Sequence, residues 1–214
     1  MPNSPYILTP PTTPFLDVDN EVKPFLRITP DDNGQDMVLS ALVEAAGAYI
    51  GNKVARPLLV TQFGVKLDGF YDFANNSNSN RAMTAVRYGF NLYGVPVPLY
   101  YPPLISVDSV KYIDQGGTLQ TLSPSLYVVD TSSIQGKIYP AFGQVWPVPQ
   151  PIQNSVTITF TAGYTTVPTA LKVAMLHVVA DWYQNRQSVM TSPTFRVQQT
   201  IDALCAPYQW GKMQ

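Results

Sequence analysis

The stretch Val156–Gln187, VTITFTAGYTTVPTALKVAMLHVVADWYQNRQ, contains the change in periodicity that decides the fold. From Val156 to Ala162, apolar and threonine side chains alternate, which is the period of two typical of a half-buried strand. Gly163 interrupts this pattern, and Pro168 suits the first turn of a helix. An apolar stripe at spacings of three and four residues then follows, formed by Leu171, Ala174, Met175, Val178 and Trp182. The stretch therefore predicts a strand, a tight turn and a long core helix over residues 168–186.

Three further helices are predicted, two before the middle of the chain and one near its end. The first covers residues 18–26, where Asp17 or Asp19 is suited to cap it and Pro24 has to kink or end it. The second covers residues 35–52, is ended by Gly51 with Asn52, and has an apolar stripe formed by Val38, Leu42, Ala45, Ala46 and Tyr49. The third of these covers residues 198–206. The small residues of the second helix predict close packing, with the helix over 168–186 as the expected partner.

Short strands fill the middle of the chain. The β-forming runs are 58–71, 104–113, 118–122, 126–130 and 137–139. Within 104–113 the alternation slips at Asp108 and Ser109, which predicts a β-bulge. The strands cluster and do not alternate with helices. The predicted fold class is therefore α+β, a small helical bundle with an inserted antiparallel β-rich section.

The length of 214 residues favours one domain over residues 1–214. Residues 1–14 carry five prolines and are expected to form an extended N-terminal arm. Residues 73–101 are rich in Tyr, Phe, Asn and Gly, which predicts a long loop or insertion on the surface. Residues 207–214 form the expected C-terminal tail.

The composition excludes several classes of protein. Hydrophobic residues make up 45% of the chain, enough for a core, whereas charged residues make up only 13%. The net charge is −1 and no Lys/Arg block occurs, so the patch that a free nucleic-acid binder needs is not found. A single cysteine excludes an intrachain disulfide. Without a signal-like N-terminus or a long apolar run, we expect a soluble, cytoplasmic chain with no membrane partner.

Candidate catalytic residues are few. His177 and Asp181 lie four residues apart on the predicted core helix, and a structural pair explains them better than an acid–base role. His177 and Cys205 have no partners at zinc-ligand spacing. The carboxylates Asp17, Asp19 and Glu21 could suggest a metal site, but their place at a helix start explains them more simply. The sequence thus predicts no catalytic, cofactor-binding or metal residue, and no enzyme activity.

Several aromatic residues are candidates for contacts with other chains. Tyr93, Tyr100 and Tyr101 lie in the predicted long loop, and Tyr208 and Trp210 lie near the C-terminus. Tyr and Trp are enriched at protein interfaces. For the loop residues, an ordinary cluster packed under the loop is an equally good interpretation.

Several segments in order resemble the head–tail connector, or adaptor, proteins of tailed bacteriophages. These are EVKPFLRI at Glu21–Ile28, PLISVDSVKYID at Pro103–Asp114, VTITFTAGY at Val156–Tyr164, and the helix end with Tyr183 and Arg186. The similarity covers roughly residues 18–208, and residues 73–101 depart from it as an insertion.

This resemblance implies a non-enzymatic ring, commonly of twelve subunits, in the virion neck beneath the portal. Such a ring binds the portal protein after packaging, extends the DNA channel and offers a docking face to a stopper, tail or nozzle protein. Genomic DNA passes through its lumen without sequence-specific binding, and before assembly the subunit is in the host cytoplasm. The residues expected to contact the portal or a neighbouring subunit are Tyr208, Gln209, Trp210, Arg186, Tyr93, Tyr100 and Tyr101. Lys172 is expected on the same outward helix face as Arg186.

A different class of function stays open at this point. Residues 88–101 carry several tyrosines, whose rings can stack on sugars. The chain could accordingly be a β-rich module that binds a carbohydrate or a receptor through this loop.

Overall fold

The computed structural model describes residues 5–29, 31–70, 96–185 and 195–210. The chain divides into two compact units. The first, called here the sheet unit, comprises Met1–Pro10 and Thr61–Gly163, and the second, the helical unit, comprises Pro11–Val60 and Tyr164–Gln214. Helices and antiparallel sheets are thus segregated, and the predicted α+β class is confirmed.

In the part of the sheet unit that the structure describes, the strands form two antiparallel sheets. Its strands are β1 (Tyr6–Thr9), β2 (Thr61–Leu67), β3 (Val97–Pro98), β4 (Leu104–Ile113), β5 (Leu119–Thr121), β6 (Tyr127–Asp130), β7 (Lys137–Pro140) and β8 (Val156–Ala162). The larger sheet has the order β1-β2-β8-β4-β5, and the smaller sheet has the order β3-β7-β6.

Strand β8 lies at the centre of the larger sheet, as its alternating sequence predicts. Val156, Ile158, Phe160 and Ala162 are buried, and the three threonines between them are half-buried. The register between β4 and β8 shifts between Val107 and Ser109, which confirms the predicted bulge. Asp108 lies at this bulge. Its Oδ2 accepts hydrogen bonds from Gln62 Nε2 at 2.8 Å and from Thr161 Oγ1 at 3.0 Å.

The prediction that residues 73–101 form one exposed loop is wrong at its C-terminal end. Residues 71–95 lie outside the described part of the chain. Val97 belongs to β3, and both Val97 and Leu99 are buried in the core of the sheet unit. The Leu99 N–H donates to the Gly136 carbonyl at 2.8 Å, so this segment extends the small sheet.

The predicted arm 1–14 is extended but not free over Tyr6–Thr9. These residues form β1 and pair antiparallel with β2 at the edge of the larger sheet. Pro10–Pro14 has no helix or strand. The sequence does not predict this pairing, because the β-forming run Tyr6-Ile7-Leu8-Thr9 is only four residues long and lies between prolines.

Within the described residues, the helical unit contains four main helical segments and a short 3₁₀ helix at Ala206–Tyr208. A π-helical turn at Val18–Val22 continues into α1 (Lys23–Leu26), and the long helices are α2 (Asp36–Val54), α3 (Thr169–Gln184) and α4 (Phe195–Cys205). The helices predicted over 18–26, 35–52 and 168–186 are therefore present. The fourth begins at Phe195 and not near residue 198. In α3, four members of the predicted stripe are buried and Trp182 packs against the core at its rim.

Two details predicted for α2 are wrong. The buried stripe is Leu39, Val43, Ala46, Gly47, Ile50 and Val54, and Val38 is exposed. The helix also continues past Gly51 and ends where Ala55 takes the left-handed conformation, with φ of 54°. Apolar residues lie on two neighbouring faces of α2, so their spacing alone does not select the buried face. The expected packing of α2 against α3 is confirmed.

Candidate assembly interface

The most exposed large apolar side chain of the described residues is Phe142, whose relative exposure is 104%. Phe142 lies in the turn Ala141–Gln144, closed by a hydrogen bond from the Gln144 N–H to the Ala141 carbonyl at 2.9 Å. Gly143 follows it with φ of 75°, a conformation that glycine adopts without strain. The turn thus presents one aromatic ring to solvent.

This turn is held on both sides. Before it, the Ala141 N–H donates to the Leu126 carbonyl at 3.0 Å, which ties the turn to the β6–β7 pair. After it, Trp146 is buried and stacks on Phe70, with ring centroids 4.7 Å apart and an angle of 1° between the planes. Because both anchors are fixed, Phe142 is displayed from a defined position.

Other exposed apolar side chains belong to the same region of the sheet unit. Leu126 lies directly before β6 and Val128 lies within it, and β6 is an edge strand of the smaller sheet. Val145 lies just after the turn. We call Leu126, Val128, Phe142 and Val145 the Phe142 surface. Between Gln115 and Ser155 the only charged residues are Asp130 and Lys137. An apolar surface with few charges is typical of the centre of a protein interface.

Asp130 stabilises the loop between β6 and β7. Its carboxylate accepts hydrogen bonds from the hydroxyls and backbone N–H groups of Ser132 and Ser133. These bonds favour the charged form, and they lower the pKa of Asp130 to about 2. The carboxylate therefore stays charged, and keeps these bonds, at neutral and mildly acidic pH.

The predicted C-terminal contact residues pack against their own helical unit. Tyr208 is half-buried against the helical core. The Trp210 N–H donates to the Val54 carbonyl at 2.8 Å, which satisfies a carbonyl at the end of α2. The Arg56 guanidinium lies 6.0 Å from the centroid of the Trp210 ring. Tyr208, Gln209 and Trp210 all keep part of their surface exposed.

The remaining predicted contact residues have varied positions. Tyr101 packs against Phe63 in the sheet unit, with ring centroids 4.8 Å apart, and Tyr100 is half-exposed beside it. Tyr93 and Arg186 lie outside the described residues. Tyr101 is thus partly buried against the core of the sheet unit, and its contact with another chain stays a prediction.

Lys172 was expected to face outwards and is instead engaged within the helical unit. Its Nζ lies 2.7 Å from Glu21 Oε1. Burial alone raises the pKa of Glu21, but the hydrogen bond from Lys172 and the bond from the Asp17 N–H outweigh it and leave this pKa below its ordinary value. Lys172 therefore stabilises the helical unit through Glu21.

The acidic cluster at the start of the first helix has structural partners throughout. The Asp17 side chain caps the helix by accepting from the N–H groups of Asp19 and Asn20, at 2.9 Å and 3.0 Å. Asp19 also binds the buried Lys23 at 2.6 Å, and Asp36 binds the same ammonium at 2.8 Å. These bonds, led by the one to Asp19, raise the pKa of Lys23. The interpretation of the cluster as helix-start carboxylates is confirmed.

The two other candidates for chemistry also lie in structural settings. His177 packs edge-on against Phe25, with ring centroids 5.5 Å apart. Cys205 is buried, and burial raises the pKa of its thiol, which makes it a poor nucleophile. Among the residues that the structure describes, no group of His, Cys, Asp and Glu is arranged to hold a metal ion. Within the same residues, no helix is long and apolar enough to cross a bilayer.

No protein-family model and no curated protein matches this chain. Solved structures do match it. A chain from the neck of an empty gene transfer agent particle, computed with C6 symmetry, has a TM-score of 0.70 and 18% identity, and the match covers 99% of this chain and 97% of that one. A chain from the virion of the native particle gives a TM-score of 0.70 at 18% identity, with coverages of 98% and 97%.

A third match comes from the neck of the native gene transfer agent particle, computed with C12 symmetry. Its TM-score is 0.61 at 18% identity, and it covers 97% of this chain and 98% of that chain. The matches extend over both compact units. This chain therefore has, over nearly its whole length, the fold of chains from gene transfer agent particles and their necks, which confirms at the level of the fold its resemblance to head–tail connector proteins.

Proposed function

We propose that this chain is a structural subunit of the neck of a phage-like particle, where copies of it form a ring. The observation that carries this proposal is the fold match, which spans 99% of this chain and 97% of a chain from a particle neck. The C6 and C12 symmetries of the matching neck structures support a closed ring of identical subunits.

The more specific role follows from the connector resemblance. The ring, of twelve subunits, binds beneath the portal after DNA packaging, extends the DNA channel and offers its other face to a stopper, tail or nozzle protein. In this role residues 1–214 act as a single connector domain in the virion neck. Before assembly the subunit is in the host cytoplasm.

The chemistry of the described residues supports a structural role over a catalytic one. The carboxylates near the N-terminus, the buried Lys23 and the single histidine all contact other residues of the helical unit. A net charge of −1 suits a channel that lets DNA pass without holding it, because tight phosphate binding requires many cations.

Two surfaces are the best candidates for the contacts of the ring. The Phe142 surface is apolar, fixed in position and poor in charge, which suits a contact between subunits. The partly exposed Tyr208, Gln209 and Trp210 form the second candidate, and here we propose contact with the portal or a neighbouring subunit. A ring contact is heterologous, so each surface meets a different face of the next copy.

Imaging of the purified protein, alone and mixed with portal particles, tests this function. We expect rings seen end-on in concentrated samples, or an added layer beneath the portal in the mixture. Particles that stay bare, together with a protein that never forms rings, would contradict the proposal.

A further inference from the structure

Strand β1 is attached to its own sheet without a single buried side chain. All four residues, Tyr6 to Thr9, are exposed, although β1 pairs antiparallel with β2, with one shift of register between Ile7 and Thr9. We propose that in the assembled ring β1 pairs with β2 of a neighbouring copy, so that each subunit gives its first strand to the next. This inference rests on the ring proposed above.

The contacts of β1 do not depend on which copy supplies the strand. Tyr6 lies over Gly64, where a Cβ would come within 2.6 Å of the tyrosine ring. The Thr9 hydroxyl donates to Gln62 Oε1 at 3.1 Å, and Lys66 Nζ lies 6.0 Å from the centroid of the Tyr6 ring. The three partners named, Gly64, Gln62 and Lys66, all lie on β2. A second copy of β1 therefore makes the same bonds, and strand exchange costs no contact.

The exposed side chains of β1 indicate that this edge is covered in an assembly. Ile7 is 60% exposed and Leu8 is 45% exposed. An apolar edge strand left in solvent is a liability that proteins normally block with charges or a bulge. The sequence from Tyr6 to Thr9 carries no charge, and the register shift after Ile7 still leaves Ile7 and Leu8 exposed. A neighbouring copy that exchanges its strand brings its own surface alongside and covers these side chains.

The segment after β1 has the character of a hinge. Pro10–Pro14 has the sequence PPTTP, has no helix or strand, and contains the boundary between the two compact units, which falls between Pro10 and Pro11. Its three prolines lack an N–H and favour an extended backbone, which rises about 3.1 Å per residue and so spans about 15 Å. A connection of this length separates β1 from the first helix, so the strand is joined to the rest of its chain through an extended segment that a neighbouring copy can replace.

Disulfide trapping distinguishes the two arrangements. Thr9→Cys and Gln62→Cys introduce thiols at a register pair whose side chains are in contact, in a Cys205→Ala background that removes the native thiol. The matched control is Lys111→Cys with Thr121→Cys, an exposed register pair between β4 and β5. Each variant is oxidised twice, once as a dilute protein solution and once as assembled rings, whose formation is verified by light scattering. The products are then separated on a denaturing gel without reductant.

We expect the test pair to link chains to one another in rings, giving a ladder of covalent multimers, while the control pair stays within single chains. A second sample mixes the two single variants, Thr9→Cys and Gln62→Cys, which join only when β1 of one copy reaches β2 of another. Rings in which the test pair links only within chains, and the mixed sample stays monomeric on the gel, would overturn strand exchange and leave the ring intact. Failure to form rings at all would overturn the proposed function as well.

Discussion

The ring of Phe15 lies against Gly47 of α2, so close that a Cβ at residue 47 would come within 2.4 Å of a ring carbon. Gly47 is buried in the middle of a helix, where glycine is otherwise unfavourable by about 1 kcal/mol relative to alanine. Its retention there has a local reason, because the aromatic ring occupies the space of a side chain. The close approach docks the segment before the first helix onto α2.

Gly47→Ala is expected to destabilise the helical unit. Overpacking of this kind costs about 1–3 kcal/mol, and the gain in helix propensity offsets about 1 kcal/mol of it. The control is Gly51→Ala in the same helix, where the nearest atom to the new Cβ is 3.5 Å away and a stabilisation of up to about 1 kcal/mol is expected. Urea unfolding followed by circular dichroism measures both. Equal effects of the two substitutions would contradict the packing of Phe15 on Gly47.

Asp130→Asn is expected to destabilise the β6–β7 loop in a pH-dependent way. The pKa of Asp130 is about 2 in the folded protein, below the roughly 3.9 of an unfolded chain. The folded state therefore favours the charged form, and the stabilisation is complete above about pH 4 and is lost as the pH falls towards 2. The difference in unfolding free energy between wild type and variant should be constant from pH 5 to 7 and shrink below pH 4. A difference that grows on acidification would contradict the hydrogen-bond network.

Loss of Trp210 is expected to destabilise the end of α2. Truncation after Gln209 removes the hydrogen bond to the Val54 carbonyl, worth about 1 kcal/mol, and the contact with Arg56, worth about 0.5–1 kcal/mol. Trp210→Ala keeps the backbone N–H and should cost only the second part. Truncation after Trp210 removes the same four following residues and serves as the control. Thermal unfolding of the three proteins ranks their stabilities. If truncation after Trp210 destabilises the protein as much as truncation after Gln209, the role of Trp210 is refuted.

Phe142→Ser is expected to weaken assembly without affecting the fold. The side chain is fully exposed, so the free energy of unfolding should change by less than about 0.5 kcal/mol. An aromatic residue central to an interface contributes about 2 kcal/mol or more, so the concentration required for assembly should rise by about 30-fold. Met37→Ser, which removes another highly exposed apolar side chain, controls for a general loss of apolar surface. Equal shifts in both variants would exclude a specific role for the Phe142 surface.

The sequence predicts the central elements of this fold well, for physical reasons. Strand β8 and helix α3 each have one buried face, so their apolar residues recur with the period of the element that they form. Helix α2 is apolar on neighbouring faces, and only the packed structure selects Leu39 over Val38. Val97 and Leu99 were missed because their burial depends on pairing with residues about forty positions later, around Ile138.

The candidate interface was predicted less completely. Aromatic content draws attention to Tyr101, which packs internally, and passes over Phe142, which does not. The local sequence Tyr139-Pro140-Ala141-Phe142-Gly143 has the proline and glycine of a turn, and this was the one available signal for an exposed ring. Side chains that contact another subunit need not recur at the period of a helix or a strand, so the spacing of residues does not reveal such a contact.

The mass of the assembled species tests the ring most directly. Light scattering coupled to size exclusion, on the wild-type protein at increasing concentration and mixed with portal protein, measures this mass. A closed ring of twelve copies predicts a species of twelve times the 23.6 kDa chain mass, at high concentration or on the portal. A protein that elutes at 23.6 kDa at every concentration, and that never co-elutes with the portal, would contradict the central claim.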